Sequence, residues 1–153
     1  MLQYDFENSV GYWICLAQQS HQRALNDELA PHGITFRQAQ VLGCLVLDSE
    51  LTQSELANRL SIEPPTLVGI LDRMERDGWI ARHSCPDDRR KKLIRPTAAA
   101  EPVWAKIAAC GLAVRAQATD GLSERQVTIL KKLLAKVRKN LTTPAIVGST
   151  HGG

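Results

Sequence analysis

Long apolar runs are missing. Nowhere do eighteen uncharged apolar residues follow one another, which leaves no expectation of a membrane-spanning helix. The opening MLQYDFENSV has neither the basic start nor the apolar stretch of a targeting segment, so the chain is expected to be cytoplasmic, with no membrane partner. Cysteine is scarce and scattered. Cys15, Cys44, Cys85 and Cys110 form no CxxC and no paired spacing, which speaks against a zinc site or a disulfide framework and fits thiols of a reducing compartment. The four histidines lie far apart, no Ser/His/Asp or Cys/His grouping has catalytic spacing, and no glycine-rich phosphate loop follows a strand. Nothing here suggests an enzyme, a bound metal or a cofactor.

What is present suits one soluble domain or one domain with helical extensions: 153 residues, 44% hydrophobic and 23% charged, enough to bury a core. The net charge of +3 conceals a split. Residues 1–50 carry six acids against Arg23 and Arg37, a balance of −4, so the remainder sums to +7. That surplus gathers in residues 82–95, where six basic residues meet two acids, and in residues 124–139, where six meet one. Basic surfaces favour polyanions, although a charge run by itself is more often a solvated face.

Periodicity predicts a mainly helical order. Phe6, Val10, Trp13, Ile14, Ala17, Leu25 and Leu29 recur at spacings of three and four, giving a long amphipathic helix over 6–29 that Pro31-His32-Gly33 ends. His21 falls on its apolar stripe and reads as a core or interface histidine. Thr35 with Gln38 makes a capping box ahead of the apolar run 41–47, which predicts a second, buried helix. Thr52 with Glu55 repeats the device and opens a short helix to Leu60, with Leu56 and Leu60 inward.

After a turn at 61–63, Pro64 and Pro65 can occupy a first helical turn, where their missing amide donors are not needed. That third helix is expected to run to Asp77, stopped by Gly78, with Leu67, Ile70, Leu71 and Met74 inward and Thr66, Gly69, Arg73 and Arg76 outward. Residues 79–84 and 91–95 read as two short strands around the turn Cys85-Pro86-Asp87-Asp88-Arg89-Arg90. Beyond Thr97 a helix with Pro102 in its first turn presents Val103, Trp104, Ile107 and Leu112, and Gly121 breaks it. Ser123 with Gln126 caps a last helix whose Val127, Leu130, Leu134, Val137 and Leu141 form a short heptad seam, long enough for a partner helix. Residues 143–153 have no periodic pattern and are expected to fray.

Helix, turn, helix and charged ribbon over residues 52–97 form a unit suited to double-stranded DNA. In such a unit the second helix enters the major groove by its N-terminal end while the first crosses the backbone. Thr52, Gln53 and Ser54 then supply hydroxyls, an amide and a helix N-terminus for a phosphate. Pro64, Pro65 and Thr66 face base edges, with proline limited to apolar contact such as a thymine methyl. Arg73 lies further along and is expected to reach backbone. At the ribbon tip Arg89, Arg90, Lys91 and Lys92 alternate sides, so at most two enter a minor groove while the others meet phosphates. Asp88 beside them is expected to pair with a neighbouring arginine and fix that side chain's direction.

The segment IEPPTLVGILDRMERDGWI at 62–80, followed by Asp88-Arg89-Arg90 and Thr97, resembles the MarR family of winged helix-turn-helix regulators. The proline pair, the 85–90 run and Ala100-Glu101-Pro102 look closest to its SlyA and RovA branch. The likeness covers roughly residues 6–141 and is most specific between 52 and 97. It implies a mainly α (α+β) winged helix-turn-helix fold, with 35–97 as the DNA-binding domain and 1–34 and 98–142 as helical dimerisation regions. It also implies a homodimer on a pseudo-palindromic operator, loosened by a small aromatic or phenolic effector, repressing or activating transcription. By position Asp88 and Arg90 match the wing's Asp-x-Arg motif, with Arg90 aimed at the minor groove, and Thr66 matches a DNA-contacting position. Two departures stand out: Gly69 replaces a base-reading arginine, and Pro96 replaces the leucine before Thr97, so the second wing strand is expected to end early or lie at an edge. Relatives that sense organic peroxides keep a cysteine on the first helix; here that position is Gly11, with Cys15 one turn later and Phe36 and Ala39 at the tyrosine positions. Thiol sensing by Cys15, or a winged module that only binds protein, are the alternatives.

Overall fold

The computed structural model describes residue 1 and residues 3–142. The expected tail at 143–153 lies outside the described residues. Three helix starts follow the capping boxes legible in the sequence. In α2 (Phe36–Asp48), the Thr35 hydroxyl accepts the Gln38 N–H at 3.2 Å and the Gln38 side chain accepts the Thr35 N–H at 2.9 Å. Thr52 and Glu55 exchange the same bonds ahead of α3 (Gln53–Leu60). Ser123 and Gln126 do so ahead of α6 (Glu124–Thr142). Each reciprocal pair satisfies two amide donors that the first helical turn leaves unpaired.

The first helix is shorter than its periodicity implies. Helix α1 is Val10–Leu29, because Ser9 takes an extended conformation and its hydroxyl accepts the Tyr12 N–H. Phe6 stays outside the helix in a ring cluster with Tyr4 and Tyr12. His21 is exposed rather than part of a core. A 3-10 turn over Ala30–His32 and Gly33 in the left-handed region turn the chain into α2. Helix α4 (Pro64–Arg76) has its proline pair in the first turn, caps on Asp77 and exits through Gly78 at φ 77°.

Strands β2 (Ile80–Ser84) and β3 (Lys92–Pro96) pair antiparallel, with Ser84 opposite Lys92 and Ile80 opposite Pro96. The ribbon is not two-stranded. Two residues before α3, Leu51–Thr52, form β1 against Ile94 and Leu93, so β3 is the centre of a three-stranded sheet in the order β1-β3-β2. Pro96 ends β3 without shortening it. It is tolerated there because β1 does not reach that far, leaving its imide nitrogen on an unpaired side. Thr97 then locks the base of the sheet: its N–H donates to the Trp79 carbonyl at 3.0 Å and its hydroxyl to the Gly78 carbonyl.

The core lies between α2, α3, α4, the sheet and α5 (Ala100–Ala118). Leu42, Leu45, Leu56, Leu67, Leu71, Met74, Ile80 and Ile94 are at most 2% exposed. The inward stripe expected of α4 is buried in full, and its outward residues are exposed. The run 41–47 is buried only in part: Val41, Leu42 and Leu45 face inward, whereas Val46 and Leu47 are exposed. Leu112 is likewise exposed, and Cys110 and Val114 take the buried positions on α5. The chain divides into two units, Met1–Arg115 and Ala116–Gly153. In the second, α6 buries no residue, and Leu130, Leu134 and Leu141 of its heptad seam are exposed. No helix among the described residues is long and apolar enough to cross a membrane.

Candidate nucleic-acid interface

Three elements present polar and basic groups around one another: the start of α3, the start of α4, and the β2–β3 tip. Pairing of β1 with β3 sets how the start of α3 lies to the tip. Because Thr52 sits opposite Leu93, the N-terminus of α3 lies against the root of the tip. Thr52, Gln53 and Ser54 line a shallow cavity of about 160 Å³ together with Arg90, Lys91 and Lys92. Gln53 and Ser54 also line a second notch of about 190 Å³ with Ala57, Asn58 and Pro64. Six of the residues singled out from the sequence thus share one concavity, and two of them connect it to the start of α4. Pro65, Thr66 and Arg73 are exposed on α4 but line neither notch, and Arg89 is exposed at the tip.

Thr52 departs from its expected role. Its hydroxyl donates to the Glu55 carboxylate at 2.8 Å and accepts the Glu55 N–H, so it is engaged in the cap. The Glu55 carboxyl is held below its ordinary range, first by the Thr52 backbone N–H and then by the Thr52 hydroxyl. A negative group therefore already stands at this helix end, and the cations Arg90, Lys91 and Lys92 opposite it carry the attraction for an anion.

Asp88 does not pair with an arginine side chain. Its carboxylate accepts the backbone N–H of Arg90 at 3.0 Å, and its carbonyl accepts the N–H of Lys91 at 2.9 Å. This is an aspartate closing its own turn two residues on, so it shapes the backbone of the tip rather than aiming a guanidinium.

Arg82 was not singled out by sequence reasoning. From β2 its guanidinium reaches Asp72 and Glu75 of α4, both at 2.7 Å, and approaches the Val68 carbonyl at 3.4 Å. Burial works against its charge, but the Glu75 and Asp72 carboxylates more than offset this, so its pKa lies above the ordinary value. This clamp fixes the sheet to the exposed side of α4 and neutralises two acids there. Arg95 pairs with Glu50, and Arg59 with Asp48. Nothing in sequence spacing signals these partners, since they meet only through the tertiary fold. Asn58 was also missed, although it stands one helical turn after Ser54 on the same side of α3. No three His, Cys, Asp or Glu side chains cluster as metal ligands among the described residues.

A larger cavity of about 340 Å³ lies between α2 and the start of α5, lined by Leu42, Val46, Pro96, Glu101 and Trp104 among others. It is apolar apart from Glu101 and the Thr97 region.

Comparison with known proteins adds four findings. The model of the MarR family matches residues 32–91. The chain is similar to wild-type MarR from E. coli in its apo form, at 30% identity over 84% of this chain and 96% of that one, with a TM-score of 0.77. A mutant MarR from E. coli complexed with operator DNA aligns at 30% identity over 84% and 92%, with a TM-score of 0.74. A MarR-family transcriptional regulator from Rhodococcus sp. RHA1 shares the fold at 23% identity over 88% and 96%, with a TM-score of 0.79.

Proposed function

The chain belongs to the MarR family, and from that membership we propose that it is a sequence-specific regulator of transcription that binds double-stranded DNA in the cytoplasm. The observation that carries this reading is the shared concavity: Thr52, Gln53 and Ser54 at the start of α3 line it together with Arg90, Lys91 and Lys92, beside the exposed start of α4. A phosphate there meets the cations Arg90, Lys91 and Lys92 beside the Gln53 and Ser54 side chains, the wing lies along the flanking groove, and α4 enters the major groove by its N-terminal end. Gln53, Ser54, Arg73, Lys91 and Lys92 serve as backbone contacts, Pro64, Pro65 and Thr66 as base contacts, and Arg89 and Arg90 as minor-groove contacts. Thr52 and Asp88 hold these groups in place. The direct test is binding of intact protein to sheared duplex DNA. The Arg90→Ala/Lys91→Ala variant should bind at least tenfold more weakly with an unchanged circular dichroism spectrum; equal binding would refute the site and favour a winged module that contacts protein only.

The assembly in this reading is a homodimer on a pseudo-palindrome. Residues 1–34 and 98–142 form the dimerisation region and residues 35–97 the DNA-binding domain, in keeping with the exposed Val10 and Trp13 of α1 and the exposed leucines of α6. We read it as nearest the SlyA and RovA branch, a reading supported by the proline pair, the 85–90 run and Ala100-Glu101-Pro102. A small aromatic effector fits the α2–α5 cavity, where Trp104 offers a ring face and Glu101 favours a neutral phenol over an anionic carboxylate. Isothermal titration with phenol and benzoate would check that order. Exposure of Cys15 supports thiol sensing as a second reading; an unchanged peroxide response in Cys15→Ser would remove it.

A further inference from the structure

We propose that the major-groove surface of this chain selects A·T pairs, and in particular thymine C5-methyl groups; the inference rests on the DNA-binding reading above. A guanine edge offers two acceptors, which arginine or lysine reads best, whereas a thymine edge offers a methyl and an adenine edge pairs with an amide side chain. The leading end of α4 is Pro64, Pro65, Thr66, with Val68 and Gly69 one turn on. These five residues present ring carbons, methyls and a single hydroxyl, behind the exposed carboxylate of the N-cap Glu63.

The nearby arginines are engaged or distant. The Arg82 guanidinium is bound to Asp72 and Glu75. Arg76 pairs with Asp77 at the far end of the helix, at 3.4 Å. Arg73 lies about 12 Å along the axis from Pro65, two turns away from the entering end. The polar groups that do flank this end, Gln53 and Asn58 beside Pro64, are amides rather than cations, and with Gln53 given to the backbone it is Asn58 that carries an amide suited to adenine. Gly69 is not imposed by crowding, since a Cβ built there meets nothing within 4 Å. The helix therefore has room for a base-reading side chain and does without one. Arg89 and Arg90 at the wing match the same preference, because A-tracts narrow the minor groove and deepen its negative potential.

Duplexes selected by the intact protein from a random pool should carry A·T pairs at the positions beneath α4. In the best duplex, replacing one contacted thymine by deoxyuridine removes only its methyl and should weaken binding about fourfold; the same change outside the site should do nothing. Gly69→Arg, at an open helical position, should bind duplexes in which one of these pairs is G·C at least tenfold more tightly than the parent does. Guanine-centred half-sites, or deoxyuridine duplexes bound as tightly as their thymine parents, would overturn the inference and leave the DNA-binding reading standing. Failure to retain any duplex, even at low salt, would overturn both.

Discussion

The salt dependence of DNA binding tests which wing charges are available, and its size follows from the ion pairs. Six basic residues lie between 82 and 95. Arg82 is held by Asp72 and Glu75 and Arg95 by Glu50, which leaves four: Arg89, Arg90, Lys91 and Lys92. Each phosphate neutralised releases condensed counterions and adds about 0.9 to the slope of log affinity against log salt. Arg90→Ala should lower that slope by about 0.9 per protomer, or about 1.8 for a dimer on its operator. Between about 50 and about 200 mM salt the parent would then lose about twelvefold more affinity than the variant. The control is Glu50→Gln/Arg95→Gln, which removes an ion pair without changing net charge and should leave the slope where it was. Fluorescence anisotropy of a labelled duplex across a potassium chloride series measures both. If the neutral double variant flattened the slope as much as Arg90→Ala, or if Arg90→Ala left it unchanged, the assignment of available and engaged charges would be wrong.

Glu55 gives a pH prediction with a definite sign. Its folded pKa is depressed below 4.5, so the linked stability is present above about pH 4.5 and is lost as pH falls through the folded value. In urea melts the gap between parent and Glu55→Gln should be widest near pH 7 and close toward pH 3; a constant gap would refute the link. Gly78→Ala, at φ 77°, should cost about 1 kcal/mol through left-handed strain. Gly69→Ala, helical and open, should instead stabilise by up to about 1 kcal/mol; thermal melts that moved in the same direction would contradict this contrast. Asp88→Asn keeps an oxygen to accept the Arg90 N–H and removes a negative charge, so duplex binding should tighten, whereas Asp88→Ala should not gain as much. Weaker binding by Asp88→Asn would restore the charge-pairing role for this residue.

Features that depend on neighbours in the chain were legible before the fold was seen. A capping box needs only residues three apart, and all three form. The buried stripe of α4 needs only the helical period. Some of the misses need longer reach. Strand β1 has two residues, too few for any alternation, and its partner lies more than forty positions on, where the loop-closure entropy is repaid only by the finished sheet. Phe6 fits the helical period, yet the Ser9 hydroxyl offers the backbone a cap three residues later, and local capping decided the start. Val46, Leu47 and Leu112 show the limit of periodicity itself. A spacing marks a position as apolar but carries no information about which surface covers it, and these three are exposed in the chain as folded.

The site was legible in its membership more than in its roles. Charge counting along the sequence treats every arginine alike, but a cation can meet DNA only if no carboxylate has already taken it. That depends on which helix face turns toward which strand. Arg82 belongs to the positive run by position and to α4's acidic face by contact, so it holds the two halves of the interface together instead of contributing to the attraction. Asp88 shows the converse. Judged by charge it opposes the function; judged by bond geometry it closes the turn that sets the backbone from which Arg90 projects. Its i to i+2 bond to a backbone N–H is a local device, encoded in Asp-x-Arg without any tertiary partner. A backbone hydrogen bond at 3.0 Å is directional in a way that an exposed ion pair, worth well under about 1 kcal/mol, is not. For a two-strand tip that carries consecutive cations, fixing the backbone is the more effective use of one carboxylate.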